Sequence, residues 1–158
     1  VLHQELDPFV HGQFDPERVV YVESESKKVG NVAVPDSLIQ AMRTSACLRL
    51  ELPMDERVKL LMQDYDFFVK DTGFFCERLD TLVQVRGREV VGHWQQLARS
   101  GRTAAVVQDL LDTHYDPTYL QSMQRNFTQY PQSKALQARD HSHEAMQELA
   151  REILRAEG

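Results

Sequence analysis

The stretch VVYVESESKKVG, residues 19–30, opens as a strand and ends in charge. Its first four residues are β-branched or aromatic, a composition typical of a buried strand. Two carboxylates, two hydroxyls and two ammonium groups follow before a turn at Gly30. In open α/β sheets, ligands gather at the carboxyl ends of the strands, where loops present polar groups. The pattern therefore predicts a strand at residues 19–22 and a polar site directly after it.

A regular alternation of elements follows this stretch. Residues 34–45 are predicted as a helix, because their apolar side chains recur at three- and four-residue steps. Residues 46–53 alternate apolar and charged side chains and are predicted as a second strand that stops at Pro53. Residues 54–69 return to the helical spacing, with two carboxylates in the first turn. Strand, helix, strand and helix in succession are typical of an α/β layer with parallel strands.

The second half of the chain, from Phe74 onward, carries helical patterns and almost no strand signal. Residues 129–141 are polar and are predicted as a loop. Because two strands cannot form a stable parallel sheet that is covered on both faces, and because the chain begins with Val1, we expect a piece of a longer protein. The predicted helices of this half are 74–85, 88–99, 103–115, 117–128 and 142–156.

The composition is that of a folded, soluble protein, with 158 residues, 42% apolar and 27% charged. The formal net charge of −6 argues against a protein that coats nucleic acid non-specifically, although basic side chains can still cluster locally. Cys47 and Cys76 lie far apart in sequence and are expected to be buried free thiols. No apolar stretch approaches a membrane span and no signal peptide is apparent, so a cytoplasmic location is expected.

Two motifs with apparent chemistry are weak. Gly87 and Gly92 have the spacing of a phosphate-binding loop, but His and Trp follow where Lys and Ser or Thr are needed. His141 and His143 have no third ligand close in sequence. They are therefore expected at a solvated helix start, and no metal site is predicted.

Basic and aromatic side chains in the second half are secondary candidates for RNA contacts. Arginines flank Trp94, which shares an apolar helical face and is expected in the core, while the arginines would form a basic edge. The sequence His-Tyr-Asp at 114–116 is expected to close one helix and cap the next. These secondary candidates are Arg86, Arg88, Arg99, Arg102, His114 and Tyr115.

The charged loop after the predicted first strand is the sharpest functional signal. Arg57 follows the second strand in the first turn of its helix, where the helix dipole favours anions over cations. A cation at that position is explained if an anion also binds there. In the alternative interpretation, the loop is solvated and its two lysines pair with its own carboxylates. The candidate anion-binding residues are Glu23, Glu25, Ser26, Lys27, Lys28 and Arg57.

Three motifs resemble, in order and spacing, the carboxyl-terminal half of bacterial tRNA 2-selenouridine synthases. They are VESESKKVGNVAVPDSLIQAMR, LELPMDERVKLLMQDY and HYDPTYLQSM, and the resemblance runs from about Phe14 to Phe127. The family replaces the sulfur of 2-thiouridine at the tRNA wobble position with selenium from selenophosphate, through an S-geranylated intermediate made from geranyl diphosphate. The motif positions are Glu23, Glu25, Ser26, Lys27, Gly30, Arg57, Asp64, Tyr65, His114, Tyr115, Asp116 and Tyr119.

The resemblance also implies a domain organisation. In this family a rhodanese-like domain with a reactive cysteine precedes a P-loop nucleotide-binding-like domain, whose later part this chain resembles. We therefore expect an α/β fold: the remnant of a P-loop-type parallel sheet with few strands, then a mainly helical carboxyl-terminal part. Residues 1–72 would end the P-loop-like domain and residues 73–158 would form a helical subdomain. The expected partners are tRNA and the rhodanese-like and P-loop segments of the same protein.

The chain departs from the family pattern at the catalytic positions. It has no Walker A sequence, and neither cysteine lies in a rhodanese-type loop, so neither inherits the catalytic role. Lys27 stands where the family commonly has arginine, which keeps the charge but loses the bidentate fork. We therefore expect no catalytic residue and no bound cofactor here, and no activity of this piece alone. Selenophosphate and geranyl diphosphate would serve the parent enzyme as co-substrates, with nucleotide binding left open.

The hypothesis that joins both lines of reasoning is that Lys27, Lys28 and Arg57 meet phosphate groups of tRNA, a diphosphate or a nucleotide. A carboxylate of the loop would orient these cations or a water bound to Mg²⁺. Two alternatives stay open: a helical protein-interaction module with a solvated loop, and a relative of P-loop nucleotide or small-molecule kinases. The upstream sequence would separate them, since a rhodanese-type cysteine loop followed by GxxxxGK[ST] supports the transferase.

Overall fold

The structure, a computed structural model, describes residues 19–24, 27–29 and 31–155 of the chain. Helices predominate, joined by short strands. The strands are β1 (Lys28–Val29), β2 (Val32–Ala33), β3 (Leu48–Glu51) and β4 (Lys134–Gln137). The α-helices are α1 (Asp36–Thr44), α2 (Met54–Asp64), α3 (Asp66–Lys70), α4 (Thr72–Asp80), α5 (Val83–Arg86), α6 (Arg88–Arg99), α7 (Thr103–Leu110), α8 (Asp116–Asn126) and α9 (His143–Arg155). A π-helical turn (Leu111–Tyr115) joins α7 to α8, and a 3₁₀ turn (Tyr130–Gln132) precedes β4.

The chain divides into two compact units, each described here through its described residues. The first unit takes Val1–Leu48 and Gln121–Lys134, and the second takes Arg49–Leu120 and Ala135–Gly158. The predicted domain boundary after residue 72 stays a prediction.

The predicted strand at residues 19–22 is wrong. These residues form no strand, and their side chains are 47–62% exposed. The strands that follow, β1 and β2, pair antiparallel with each other, with Lys28 opposite Ala33 and Val29 opposite Val32. A β-branched run becomes a strand only where a neighbouring strand takes its hydrogen bonds and a packed layer covers one face. The described part of the first unit supplies neither to residues 19–22.

The predicted helix at 34–45 is confirmed as α1, which begins after Pro35 and buries Ile39. Its last turn is tied to the other segment of the first unit. Arg43 donates from Nη2 to Asn126 Oδ1 at 3.1 Å, and the Arg43 carbonyl accepts from the backbone N–H of Thr128 at 3.0 Å. Met123 and Tyr130 are buried in the same unit.

A small parallel sheet is formed by β3 and β4. Lys134 N donates to Cys47 O at 3.2 Å and Ala138 N donates to Glu51 O at 2.8 Å, so both partners advance in the same direction. The predicted second strand is thereby confirmed, but the prediction of a loop at 129–141 is wrong where β4 lies. Four residues of the sequence KALQ carry no clear alternation, and only the partner strand makes them a strand.

The predicted fold class is confirmed, since a parallel sheet of few strands accompanies a mainly helical remainder. The parallel pair differs from the expected one, because β3 pairs with β4 and not with residues 19–22. The predicted helices at 88–99 and 142–156 are confirmed as α6 and α9. Turns at residues 65 and 81–82 split two longer predicted helices into α2 and α3 and into α4 and α5.

The main core lies among the helices of the second unit, where α4 packs on α6 and α6 packs on α7. Trp94 is fully buried there, as predicted. Both cysteines are free thiols, as predicted, although Cys47 is only half-buried. Burial raises the pKa of the Cys47 thiol. The buried members of this core are Phe75, Cys76, Leu79, Val91, Trp94, Ala98, Val106 and Leu110.

A smaller cluster holds the last helix of the second unit. Leu149 and Ile153 of α9 pack with Leu136 and Ala138, and with Leu52 after β3. Within the described ranges, none of the helices has the length and apolar character needed to cross a bilayer.

Candidate functional site

The charged loop belongs to the first unit, and only part of it can be placed. Glu25 and Ser26 lie outside the described residues. Glu23 is exposed, and Lys27 is exposed directly before β1, where its carbonyl accepts from Val34 N at 2.8 Å. Lys28 is the exposed first residue of β1. The loop thus lies at the start of a hairpin and not after a buried strand, and its role in anion binding stays a prediction.

Arg57 in the first turns of α2 forms a bidentate ion pair with Asp116, the first residue of α8. Arg57 Nη1 and Nη2 donate to the two carboxylate oxygens of Asp116 at 2.7 and 2.6 Å. The hydrogen bonds to Asp116 raise the pKa of Arg57, and the charge of nearby Asp112 adds to this effect. Asp116 therefore supplies the anion that a cation at the start of a helix needs.

The segment that carries Asp116 is widened by Pro117. Proline has no N–H and its ring clashes with the carbonyl of the residue four places earlier, here Thr113. A π-helical turn lies at this point of the chain. A side chain also replaces the missing backbone donor, since Arg86 Nη1 donates to Thr113 O at 2.8 Å. The predicted break between helices at 116–117 is therefore wrong: α7, the π-helical turn and α8 run on continuously.

The π-helical turn is also fixed to the core through Asp109 of α7. Trp94 Nε1 donates to Asp109 Oδ2 at 2.5 Å, and Thr113 Oγ1 donates to Asp109 O at 2.7 Å. The Arg86 guanidinium carbon lies 6.0 Å from the centre of the Trp94 ring. Single π-helical turns are frequent at functional sites, and this one is held by side chains of α5 and α6.

Aromatic side chains of the third motif project from this segment. Tyr115 and Tyr119 are each 55% exposed, and His114 is half-buried. The ring of His114 meets the ring of Tyr115 edge-on, with centroids 5.1 Å apart and an interplanar angle of 66°. The Arg57–Asp116 pair thus joins the start of the second motif to the exposed aromatic residues of the third.

A second polar cluster joins α2 to the start of α9. His141 Nδ1 lies 2.6 Å from Glu56 Oε2, and Lys59 Nζ donates to Glu56 Oε1 at 2.5 Å. The hydrogen bonds from Lys59 and then His141 lower the pKa of Glu56. The expectation of a solvated helix start is therefore wrong for His141, which a carboxylate distant in sequence holds. Within the described ranges, no group of three or more His, Cys, Asp and Glu side chains could hold a metal ion.

The four predicted arginines lie on or directly before the helices α5, α6 and α7. The guanidinium of Arg86 lies over the Trp94 ring, whereas Arg88 and Arg99 begin and end α6, a helix about 18 Å long. Arg102 lies directly before α7. A shallow groove includes one of them and is lined by Thr72, Gly73, Cys76, Glu77, Asp80 and Arg99. RNA contact by these arginines stays a prediction.

Sequence reasoning missed the carboxylates that partner the predicted cations and imidazoles. Asp116 was placed as a helix cap and Glu56 as a first-turn acid, and neither was expected to bind a distant side chain. The sequence did contain a signal for Asp116, because this residue precedes a proline within a motif that resembles the family. No sequence signal connects Glu56 with His141, since the two lie 85 residues apart.

Comparison with known families finds one match. Residues 8–78 match the model of the tRNA 2-selenouridine synthase AAA domain. No curated protein and no solved structure matches the chain. The matched range includes all six predicted anion-binding residues and ends within α4. Residues 8–78 are therefore similar to the AAA domain of the tRNA 2-selenouridine synthases, the family that the sequence motifs resemble.

Proposed function

We propose that this chain contributes tRNA and diphosphate binding to a transferase that converts wobble 2-thiouridine into 2-selenouridine by way of S-geranyl-2-thiouridine. The observation that carries the proposal is the family match over residues 8–78. The catalytic cysteine would come from the rhodanese-like part of the parent enzyme. In this proposal the parent acts in the cytoplasm, and this piece alone has no activity.

The proposed chemistry involves anions at every stage. In the first step the sulfur attacks the geranyl carbon, a C–S bond forms, and diphosphate leaves with the electron pair of the broken C–O bond. In the second step the selenium of selenophosphate attacks C2, and the C2–S bond breaks. Geranylthiolate leaves with its electron pair and is protonated to geranylthiol, and water hydrolyses the Se–P bond to release phosphate. Geranyl diphosphate, selenophosphate and tRNA are all phosphate-bearing, so cationic side chains are needed to bind them.

The proposed phosphate contacts are Lys27, Lys28 and Arg57. Lys27 and Lys28 belong to the first unit and are exposed. Arg57 belongs to the second unit, and its side chain is 32% exposed beside that of Asp116, which is 39% exposed. A phosphate that binds Arg57 therefore competes with the Asp116 carboxylate. The proposal therefore predicts that removal of the Asp116 charge strengthens binding, whereas a purely structural ion pair predicts no such gain.

The test is tRNA binding by the full-length protein that carries this chain, measured at several salt concentrations. We expect Lys27→Ala and Arg57→Ala each to weaken binding and to reduce the slope of log affinity against log salt by about 0.7 to 0.9. Asp116→Asn should strengthen binding severalfold, because it frees the guanidinium. Lys70→Ala is the matched control, since Lys70 is exposed on α3 and pairs with Asp66 on its own helix.

Equal affinities and equal salt slopes in the wild type and all three variants would remove the phosphate-contact proposal. Weaker binding in Asp116→Asn together with Arg57→Ala would instead assign the ion pair a structural role. Circular dichroism of each variant separates loss of fold from loss of binding. Titration of geranyl diphosphate in the same series tests the diphosphate part of the proposal.

A further inference from the structure

Two exposed tyrosines lie beside the Arg57–Asp116 pair. Tyr115 ends the π-helical turn and Tyr119 follows in α8, four residues later. Side chains four residues apart are neighbours on a helix surface, with about 5–6 Å between their Cβ atoms. Tyr119 also lies one turn after Asp116. Tyr115 and Tyr119 therefore lie near each other on the segment that carries Asp116, the carboxylate of the ion pair.

Tyr115 and Tyr119 lie on a segment that contacts with neighbouring side chains hold in place. Among the described contacts, His114 meets Tyr115 edge-on, and the rings of Tyr115 and Tyr119 do not stack on each other. Thr118 Oγ1 donates to the His114 carbonyl at 2.6 Å, which tightens the turn that carries both residues. Tyr115 and Tyr119 are each 55% exposed and therefore accessible to a flat ligand, and the Trp94, Asp109 and Arg86 contacts hold the adjoining π-helical turn.

The charges around this surface decide which part of a nucleic acid it suits. Arg57, Asp112 and Asp116 together carry a net charge of −1 at neutral pH. A phosphate directly on the tyrosines would meet that negative charge. A nucleobase carries no charge, and its edge offers N–H donors to a carboxylate such as that of Asp112. Stacking on an aromatic ring needs no cation.

We infer that Tyr115 and Tyr119 form a stacking platform for an unpaired nucleobase of tRNA, whose edge meets the carboxylate of Asp112. The inference rests on the proposed function and assigns the third motif a role within it. Proteins recognise single-stranded RNA loops through bases that leave the stack and lie on aromatic side chains. Tyr115 and Tyr119 are base-binding residues in this scheme.

The experiment uses an anticodon stem-loop RNA with 2-aminopurine in place of one loop base, since the fluorescence of 2-aminopurine falls when it stacks. The full-length protein is titrated as wild type, Tyr115→Leu, Tyr119→Leu and the double variant. We expect loop fluorescence to fall on binding to the wild type. We expect the double variant to bind at least about tenfold more weakly and to leave the fluorescence unquenched. Tyr115→Phe should keep the quenching, because it keeps the ring.

Two controls sharpen this result. Phe67→Leu removes an exposed aromatic ring of the same unit that already packs on Phe68 at 4.4 Å, and it should bind and quench like the wild type. An RNA with 2-aminopurine in the paired stem should bind without a change in fluorescence. Circular dichroism of the double variant checks that the helices remain.

The outcomes separate the inference from the proposed function. If the wild type binds tRNA and the double variant binds and quenches equally well, the platform is wrong while the proposed function stands. If the wild type does not bind tRNA at all, both are overturned. Quenching of free 2-aminopurine riboside triphosphate, but not of the stem-loop, would overturn tRNA as the source of the base.

Discussion

Arg86 replaces a backbone hydrogen-bond donor that is missing at Pro117. Pro117 cannot donate to the Thr113 carbonyl, and Arg86 reaches from α5 to take its place. An unsatisfied buried carbonyl costs about 1–3 kcal/mol, so the arginine is expected to be a structural residue as much as a surface cation. This view differs from the sequence-based prediction of Arg86 as an RNA contact, and it can be tested separately.

We predict that Arg86→Met lowers the free energy of unfolding by about 1 kcal/mol, because it leaves the Thr113 carbonyl without its donor. The low end of the range is expected, since Arg86 Nε is buried without an acceptor among the described residues and that cost disappears with the side chain. Pro117→Ala restores a backbone N–H, so Arg86→Met should cost less in that background. Urea denaturation of the four proteins completes the cycle.

The exposed Arg88 at the start of α6 provides the matched control, and Arg88→Met should leave the denaturation midpoint unchanged. An equal cost of Arg86→Met with and without Pro117 would show that the arginine acts through Trp94 packing and not through the carbonyl.

At the scale of elements, the start of α9 is held by ionised carboxylates. Asp140 Oδ1 accepts from Ser142 N at 2.8 Å, and hydrogen bonds from Ser142 and Arg139 lower the pKa of Asp140 strongly. Glu56 on α2 meets His141 from the other side. The contact between Glu56 and His141 joins residues 85 positions apart and forms only in the folded chain, so ionised Glu56 favours folding.

We predict that acid weakens this attachment through Glu56. Because its pKa is lowered on folding, the stabilising effect is complete above the ordinary value of 4.5 and is lost as the pH falls through the lowered value. The stability advantage of the wild type over Glu56→Gln should therefore be full at about pH 5 to 6 and shrink below about pH 4.5. Chemical denaturation across this range measures it.

Glu89→Gln, which changes an exposed carboxylate in the first turn of α6, is the control for this titration. Its stability difference from the wild type should stay constant over the same range. A difference between the wild type and Glu56→Gln that also stayed constant would mean that the carboxylate contributes nothing through its charge.

The apolar face of α9 provides a prediction of its own. Leu149 is 7% exposed against the β3–β4 sheet, whereas Leu154 on the same helix is 65% exposed. We expect Leu149→Ala to cost about 2–5 kcal/mol through lost burial and a cavity, and Leu154→Ala to cost little. Thermal denaturation of the two variants compares one side-chain change in two environments, and equal costs would show that α9 is not packed on the sheet in solution.

At the scale of the whole molecule, the acidic balance bears on the proposed binding of RNA. A chain with a net charge of −6 has little general attraction for a polyanion. We therefore predict that duplex RNA of the same length competes poorly with tRNA at physiological salt. A competition titration with labelled tRNA measures this preference, and equal competition by the duplex would show that binding is non-specific electrostatics.

The helices could be predicted because their signals are local. The apolar spacing of residues 88–99 and 142–156 was enough to place α6 and α9, and Trp94 was correctly expected in the core. The strands failed where the signal depends on a partner. Residues 19–22 have strand-like composition and remain outside any strand, whereas KALQ at 134–137 lacks it and forms one.

The candidate site divides in the same way. Residue types and motif order indicated Arg57 and the His114–Tyr119 segment as members of a family pattern, and the match over residues 8–78 includes Arg57 but not His114–Tyr119. Their meeting was not predictable, because 59 residues separate Arg57 from Asp116. Ion pairs of this kind depend on which helices pack together, and no local spacing encodes that.

Periodicity, turn chemistry and motif order act between neighbours along the chain. They were sufficient for several helices, for the class of fold and for the family resemblance over residues 8–78. Long-range contacts settled the rest: the partner of β3, the donor for Thr113 and the anions for Arg57 and His141. These depend on the free energy of packing whole elements together, to which residues far apart in sequence contribute jointly.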